Sequence, residues 1–186
     1  MCRLIIVMIA VMLSACGQMQ KPAGEDVVYS SSTLSTTDSF PAFSDSGAIN
    51  TRAVKPGELV AFAQSLTGTP YKYASSDPAA GFDCSGFITY VFNHFGIEVP
   101  RSSIDFTHTG REVNTSQARP GDLILFTGTD STIKVVGHMG IVTGADGTGN
   151  LQFIHSTSGK AYGVTTTPLN EYYRSRFVKV IRVFPD

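Results

Sequence analysis

Past the first fifty residues, apolar residues recur at helical spacing first, over 56–95, and the segments that read as strands follow only from position 122. That order constrains the architecture more than any other feature. Within 56–67, Leu59, Phe62, Ala63 and Leu66 fall at i, i+3, i+4 and i+7, one face of a helix that Gly68 can close. A second helix is expected over 84–95, with Phe87, Ile88, Val91, Phe92 and Phe95 turned inward, Asp83 at its N-cap and Gly96 at its end. A loop rich in Tyr, Ser, Pro and Gly (69–81) separates the two, and a short third helix is expected over 102–109. Strands are expected over 122–126, 135–142, 151–155, 163–166 and 177–184, divided by Gly, Asp and Asn. Helices first and strands later point to an α+β fold in which N-terminal helices pack on a central antiparallel sheet of about five to six strands. The 186 residues, 42% of them apolar, suffice for one such core.

The chain ahead of that domain reads differently. Arg3 precedes an unbroken apolar run over 4–13 (LIIVMIAVML), then Ser14-Ala15-Cys16. The run is too short to span a bilayer and fits the core of an export signal. The small residues before Cys16 look like a bacterial lipobox, so residues 1–15 are expected to be a signal peptide and Cys16 the lipidated N-terminus that holds the protein on a membrane. Gly17 and Gln18 follow, with no Asp beside Cys16, which suggests the outer membrane, facing the periplasm, if the source is Gram-negative. Residues 16–50 are rich in Ser and Thr and keep no period, as expected of a flexible tether. Phe40, Phe43 and Ile49 are the residues in it that could pack on the domain, which is placed at 51–186. Fourteen basic and fifteen acidic residues nearly cancel and form no basic run, so nucleic acid is not an expected partner. A monomer is expected.

With Cys2 in the leader and Cys16 lipidated, Cys84 is the one thiol left, and no intrachain disulfide can form in the domain. A lone thiol in an oxidising compartment is either buried and inert or functional. Cys84 opens the second helix, where unpaired N–H groups and the helix dipole favour a thiolate and can hold an oxyanion. Asp83 works against the thiolate, so a cation is needed nearby. Gly86 would admit a substrate or a neighbouring backbone.

Of the four histidines, His94 and His108 sit among polar neighbours and are expected at the surface. His138 and His155 lie on consecutive expected strands around Asp146-Gly147, a strong two-residue hairpin turn. Pairing about that turn sets 145 opposite 148 and 138 opposite 155, on one face, unless Gly144 and Gly149 mark a bulge or a longer loop. A thiol and two facing imidazoles have three readings. In nucleophilic catalysis His138 takes the thiol proton, giving a thiolate–imidazolium pair that also supplies the missing cation, and His155 fixes the ring. The others are a zinc site made of Cys84, His138 and His155 and a structural histidine pair.

The segments Gly68-Thr69-Pro70-Tyr71-Lys72-Tyr73, Gly81-Phe82-Asp83-Cys84-Ser85-Gly86-Phe87, Val99-Pro100-Arg101, Arg119-Pro120-Gly121-Asp122-Leu123, Gly137-His138-Met139-Gly140-Ile141-Val142 and Phe153-Ile154-His155, in that order, resemble the NlpC family of papain-like cell-wall cysteine peptidases. The resemblance runs from about position 54 to 182. It implies a papain-like core, Cys84 as nucleophile, His138 as general base and His155 as the polar third member. Tyr71, Asp83 and Ser85 would lie on the substrate side. The implied substrates are peptidoglycan stem peptides, cut at D-γ-glutamyl–diaminopimelate or at the diaminopimelate–D-Ala crosslink, with no metal or organic cofactor. Two departures stand out. Ala74-Ser75 occupy the place of two usual glycines, and a usual glutamine is replaced near Phe106; both are expected to bear on the substrate groove. The competing readings are a non-catalytic wall-binding lipoprotein and an acyltransferase or amidase on the same fold.

Overall fold

The computed structural model describes residues 48–130 and 132–186. The expected leader, the lipidation site Cys16 and the tether up to residue 47 lie outside the described residues. Helix α1 covers Pro56–Ser65, with Pro56 at the first helical position, where its missing N–H removes nothing from the hydrogen-bond ladder. Helix α2 covers Cys84–His94. A short hairpin, β1 (Ser76–Asp77) and β2 (Gly81–Phe82), stands just before α2 in what was expected to be an open loop. The expected third helix is a 3-10 segment at Ser103–His108.

Six strands then build one sheet: β3 (Arg111–Val113), β4 (Leu123–Thr127), β5 (Val136–Ala145), β6 (Leu151–Thr157), β7 (Gly163–Pro168) and β8 (Phe177–Arg182), in the spatial order β3-β8-β4-β5-β6-β7 with every neighbour antiparallel. The order of helical and extended patterns therefore gave the right class. Strand β3 and a one-and-a-half-turn helix, α3 (Glu171–Arg176), go beyond the sequence reading. Strand β3 is too short to show a period. Helix α3 follows from a cap, since the Asn170 side chain accepts the Tyr173 N–H at 3.2 Å.

The sheet is buried on both faces. Leu123, Leu125, Met139, Ile141, Ile154 and Ile181 join Leu59, Ala63, Phe87, Ile88, Val91 and Phe92 in a core between the sheet and α1 and α2. Ile124, Phe126, Val142, Phe153 and Val180 point the other way and pack with Leu169 and Tyr173. This two-sided burial explains why β4 reads as a continuous apolar run rather than an alternation: all five of its residues are buried. Ile49 also packs into the first core, whereas Phe40 and Phe43 fall outside the described residues. An ion pair locks β8 to the start of β4: Arg182 Nε and a terminal nitrogen each lie 2.9 Å from the two oxygens of Asp122, and both residues are buried.

The expected β5–β6 register is corrected. The turn is not the two residues Asp146-Gly147 but a loop over 146–150, so Ala145 pairs with Leu151 instead of Thr148. Asp146 organises it, accepting the N–H groups of Thr148 and Asn150 at 2.9 and 3.0 Å. The longer loop shifts the register by three residues, which alone would send the histidines to opposite faces. A bulge between Val142 and Gly144 takes one residue back, and Val142 pairs with Phe153. The net shift is two, so the face is restored. His155 stands opposite Gly140 rather than His138, and His138 reaches it along the diagonal.

Candidate active site

Gly140 makes that diagonal contact possible. A Cβ there would come within 2.8 Å of the Ile154 carbonyl oxygen and of Phe153 Cδ2, and 3.2 Å from His155 Cβ. With no side chain at 140, the His138 ring can lean across, and its Nε2 lies 2.8 Å from His155 Nδ1. His155 Nε2 lies 3.1 Å from Thr167 Oγ1 on β7. The two rings sit in aromatic surroundings: Phe126 and Tyr173 against His138, Phe153 and Tyr173 against His155, with centroids between 4.8 and 6.2 Å apart. His155 is fully buried. Burial is the main reason both imidazoles stay neutral. It brings His138 down to about 3, with the Arg176 cation acting the same way. His155 is held well below the usual imidazole range by burial, then by His138 and Arg176. Arg176 itself is buried and donates to the carbonyls of Gly128 and Thr127, both at 2.9 Å, and to the Tyr172 hydroxyl at 2.6 Å.

Cys84 opens the first turn of α2. Its Sγ lies 3.9 Å from the carbonyl oxygen of Gly137, and the Met139 N–H is directed at the sulfur, so the thiol rests against the backbone on either side of His138. Burial pushes the thiol up, and the Asp83 carboxylate pushes it the same way; the N–H groups of Ser85, Cys84 and Met139 pull it down, with a net rise. Thiol up and imidazole down together favour the neutral thiol and neutral imidazole at rest, in place of the ion pair expected from the sequence.

Asp83 occupies its expected cap, accepting the Gly86 N–H at 2.6 Å. The cation it needs is Arg101, whose guanidinium bonds both carboxylate oxygens at 3.0 and 2.7 Å and also donates to Ser85 Oγ at 3.0 Å. The role assigned to the imidazolium in the sequence reading is thus filled by an arginine 18 residues away, a distance at which no local pattern links it to the cap. Gly86 serves packing: a Cβ there would run into the Ser75 carbonyl oxygen, which accepts the Asp83 N–H at 3.0 Å.

The thiol lies in an open cleft of about 510 Å³ that Tyr71, Tyr73, Ala74, Asp83, Cys84, Ser85, Arg101, Ser102, Ser103 and Gly137 line. Tyr71, Asp83 and Ser85 therefore line the same cleft as Cys84, although both Asp83 oxygens are taken up by Arg101. The loop bearing Tyr71 is fixed by backbone bonds from Tyr71 N–H to Tyr162 O and from Phe82 N–H to Pro70 O, both 3.0 Å. Ala74 has φ +57°, a left-handed conformation that suits glycine, so the chain keeps the turn and carries the strain of a Cβ there. Phe106 is fully buried in the core and does not line the cleft, so the replacement near it does not reshape the groove through that side chain. His94 and His108 are exposed, as expected, and His94 stacks on Phe62 at 3.7 Å. Among the described residues no group of three or more His, Cys, Asp or Glu could hold a metal ion. Arg101, Thr167, Tyr173 and Arg176 are the site residues to which sequence reasoning gave no role.

Comparison with known proteins gives a consistent pattern. The model of the NlpC/P60 family matches residues 68–182. A probable endopeptidase NlpC homolog of Haemophilus influenzae is 28% identical over 93% of this chain and 92% of its own length. The murein DD-endopeptidase MepS/murein LD-carboxypeptidase of Escherichia coli is 36% identical over 62% of this chain, which spans 56% of that protein. Among solved structures, an NlpC/P60 family protein from Bacillus cereus superposes with a TM-score of 0.63 at 29% identity, covering 73% of this chain and 42% of its own. RipD from Mycobacterium tuberculosis, described as a non-catalytic NlpC/p60 domain protein adapted to peptidoglycan binding, shares the fold with a TM-score of 0.55 at 23% identity, over 70% of this chain and 99% of its own.

Proposed function

Since the chain belongs to the NlpC/P60 family, we propose that it is a cysteine peptidase that hydrolyses an amide bond in peptidoglycan stem peptides. Cys84 is the nucleophile, His138 the general base and His155 the group that orients it. The observation that carries this reading is a thiol at a helix N-terminus, held 3.9 Å from the Gly137 carbonyl oxygen next to His138, whose neutral ring has its Nε2 engaged by a second, buried imidazole at 2.8 Å. Relatives named as endopeptidases, one of them acting on murein, support the substrate class.

The proton moves from Cys84 Sγ to His138 Nδ1 as the sulfur attacks the carbonyl carbon. This timing suits a pair that burial keeps neutral, because charge then develops only where the substrate's own developing oxyanion meets the N–H groups of the first turn of α2. His138 returns the proton to the leaving amine. Water, deprotonated by the same ring, then splits the thioester.

The bond is either D-γ-glutamyl–diaminopimelate or the diaminopimelate–D-Ala crosslink. Lipidation at Cys16, with the chain from there to about residue 47 as tether, would hold the enzyme on the outer membrane, facing the wall from the periplasm. A wall-binding role without catalysis, as described for RipD, has the same fold behind it; a thiol at a helix N-terminus, held against the backbone on either side of His138, favours catalysis. Digestion of purified peptidoglycan, with the released fragments identified by mass, tests the proposal. New termini at one of the two bonds are expected, and no release from any of several wall types overturns it.

A further inference from the structure

The proposed chemistry demands one tautomer at each ring, and the demand extends past His155. To take the thiol proton, His138 must present a lone pair at Nδ1, so its own proton sits on Nε2. That N–H faces His155 Nδ1 at 2.8 Å, which must then accept, leaving the His155 proton on Nε2. The Nε2–H in turn points to Thr167 Oγ1 at 3.1 Å, and nothing but an acceptor satisfies it there. We propose that Thr167 is a positioning residue of the active site: its hydroxyl accepts from His155 Nε2–H, sets the tautomer of both imidazoles and so keeps the His138 Nδ1 lone pair available to Cys84. This inference rests on the reading of Cys84 and His138 as nucleophile and base.

Three features single out Thr167. His155 is fully buried, so bulk water cannot replace the hydroxyl. The strands carry the two side chains on one face, since Thr165 pairs with His155 and Thr167 lies two residues further on, opposite Phe153. Thr165, though directly opposite the ring, places its hydroxyl 3.5 Å from the carbonyl oxygen of Thr166 instead. Loss of the Thr167 hydroxyl leaves His155 Nε2–H without its acceptor and favours the Nδ1–H form. That form sets two N–H groups against each other at the His138–His155 contact. The conflict is relieved by moving the His138 proton to Nδ1, where the ring can no longer accept from the thiol.

The test compares the full chain with Thr167→Val, Thr167→Ser and Thr165→Val, using peptidoglycan digestion kinetics and nitrogen-15 spectroscopy of the imidazoles. Wild-type His155 is expected in the Nε2–H form. Thr167→Val is expected to lower kcat about tenfold or more, with KM changed less than about twofold. It should also move His155 toward Nδ1–H. Thr167→Ser, which keeps the acceptor, is expected to retain kcat within about threefold, and Thr165→Val to match wild type. Wild-type kcat in Thr167→Val, no rescue by Ser, or a wild-type His155 protonated at Nδ1 overturns the proposal. If Thr167→Val does not fold, the wild-type tautomer and the Ser variant still decide. Cleavage that survives Cys84→Ala marks a failure of the underlying reading instead, and leaves the tautomer assignment to stand or fall on its spectrum.

Discussion

At the scale of single residues, the environment of Cys84 is set by opposing neighbours. Burial and Asp83 disfavour the thiolate, while three backbone N–H groups favour it. Alkylation of Cys84 in the free protein should therefore be slow near neutral pH and accelerate only above the ordinary thiol range; a thiolate already titrated below pH 7 contradicts this. Asp83→Asn should keep the helix cap, since Asn caps as well as Asp. It removes a negative charge and frees the Arg101 cation, so the alkylation profile should move to lower pH. Ala74 offers a second check. Glycine relieves its positive φ, and Ala74→Gly should raise stability by about 1 kcal/mol in urea denaturation. The thiol, its cap and the two imidazoles were legible in the sequence because each sits at a nameable local position: a helix start, a strand, a turn. Arg101 and Thr167 were not, because their partners lie across the fold and Arg and Thr are common surface residues.

At the scale of elements, the meeting of His138 with His155 depends on the register of β5 and β6, and the sequence reading reached the right face by a wrong route. A two-residue turn and a five-residue loop with one bulge differ by two residues, so both place the rings on one side. Asp146, Gly144 and Gly149 carry the signal for the longer version, yet the Asp-Gly pair is the stronger local cue. What alternation alone could not yield is the diagonal contact across Gly140. Gly140→Ala should force β5 from β6, cost about 1–3 kcal/mol and separate the imidazoles. Activity should then fall by more than the stability loss explains, as thermal melting beside digestion rates will show. Wild-type rates in a folded Gly140→Ala protein contradict the diagonal geometry.

At the scale of the whole molecule, a sheet buried on both faces carries several ionisable groups that must stay matched to it. Asp122 and Arg182 are paired and buried, so Arg182→Met, which strands the carboxylate, should cost about 3–5 kcal/mol in urea denaturation. The histidines impose a pH limit. Unfolded imidazoles take up protons near pH 6.5, whereas the folded chain holds His138 neutral down to about 3 and His155 neutral as well. Stability is therefore fully present above pH 6.5 and declines as pH falls below it, by at most about 1.4 kcal/mol per pH unit for each ring. The α+β class and the helical core face were legible from periodicity, while the short elements β1, β2, β3 and α3 were not, since two or three residues show no alternation and six span fewer than two helical turns. The central claim is that the Cys84 sulfur performs the cleavage. Its most direct test sets wild type against Cys84→Ala on the same purified peptidoglycan, with folding of both verified and released fragments quantified. The account expects the alanine variant to lose at least about a thousandfold in rate; release by Cys84→Ala at the wild-type rate would contradict it.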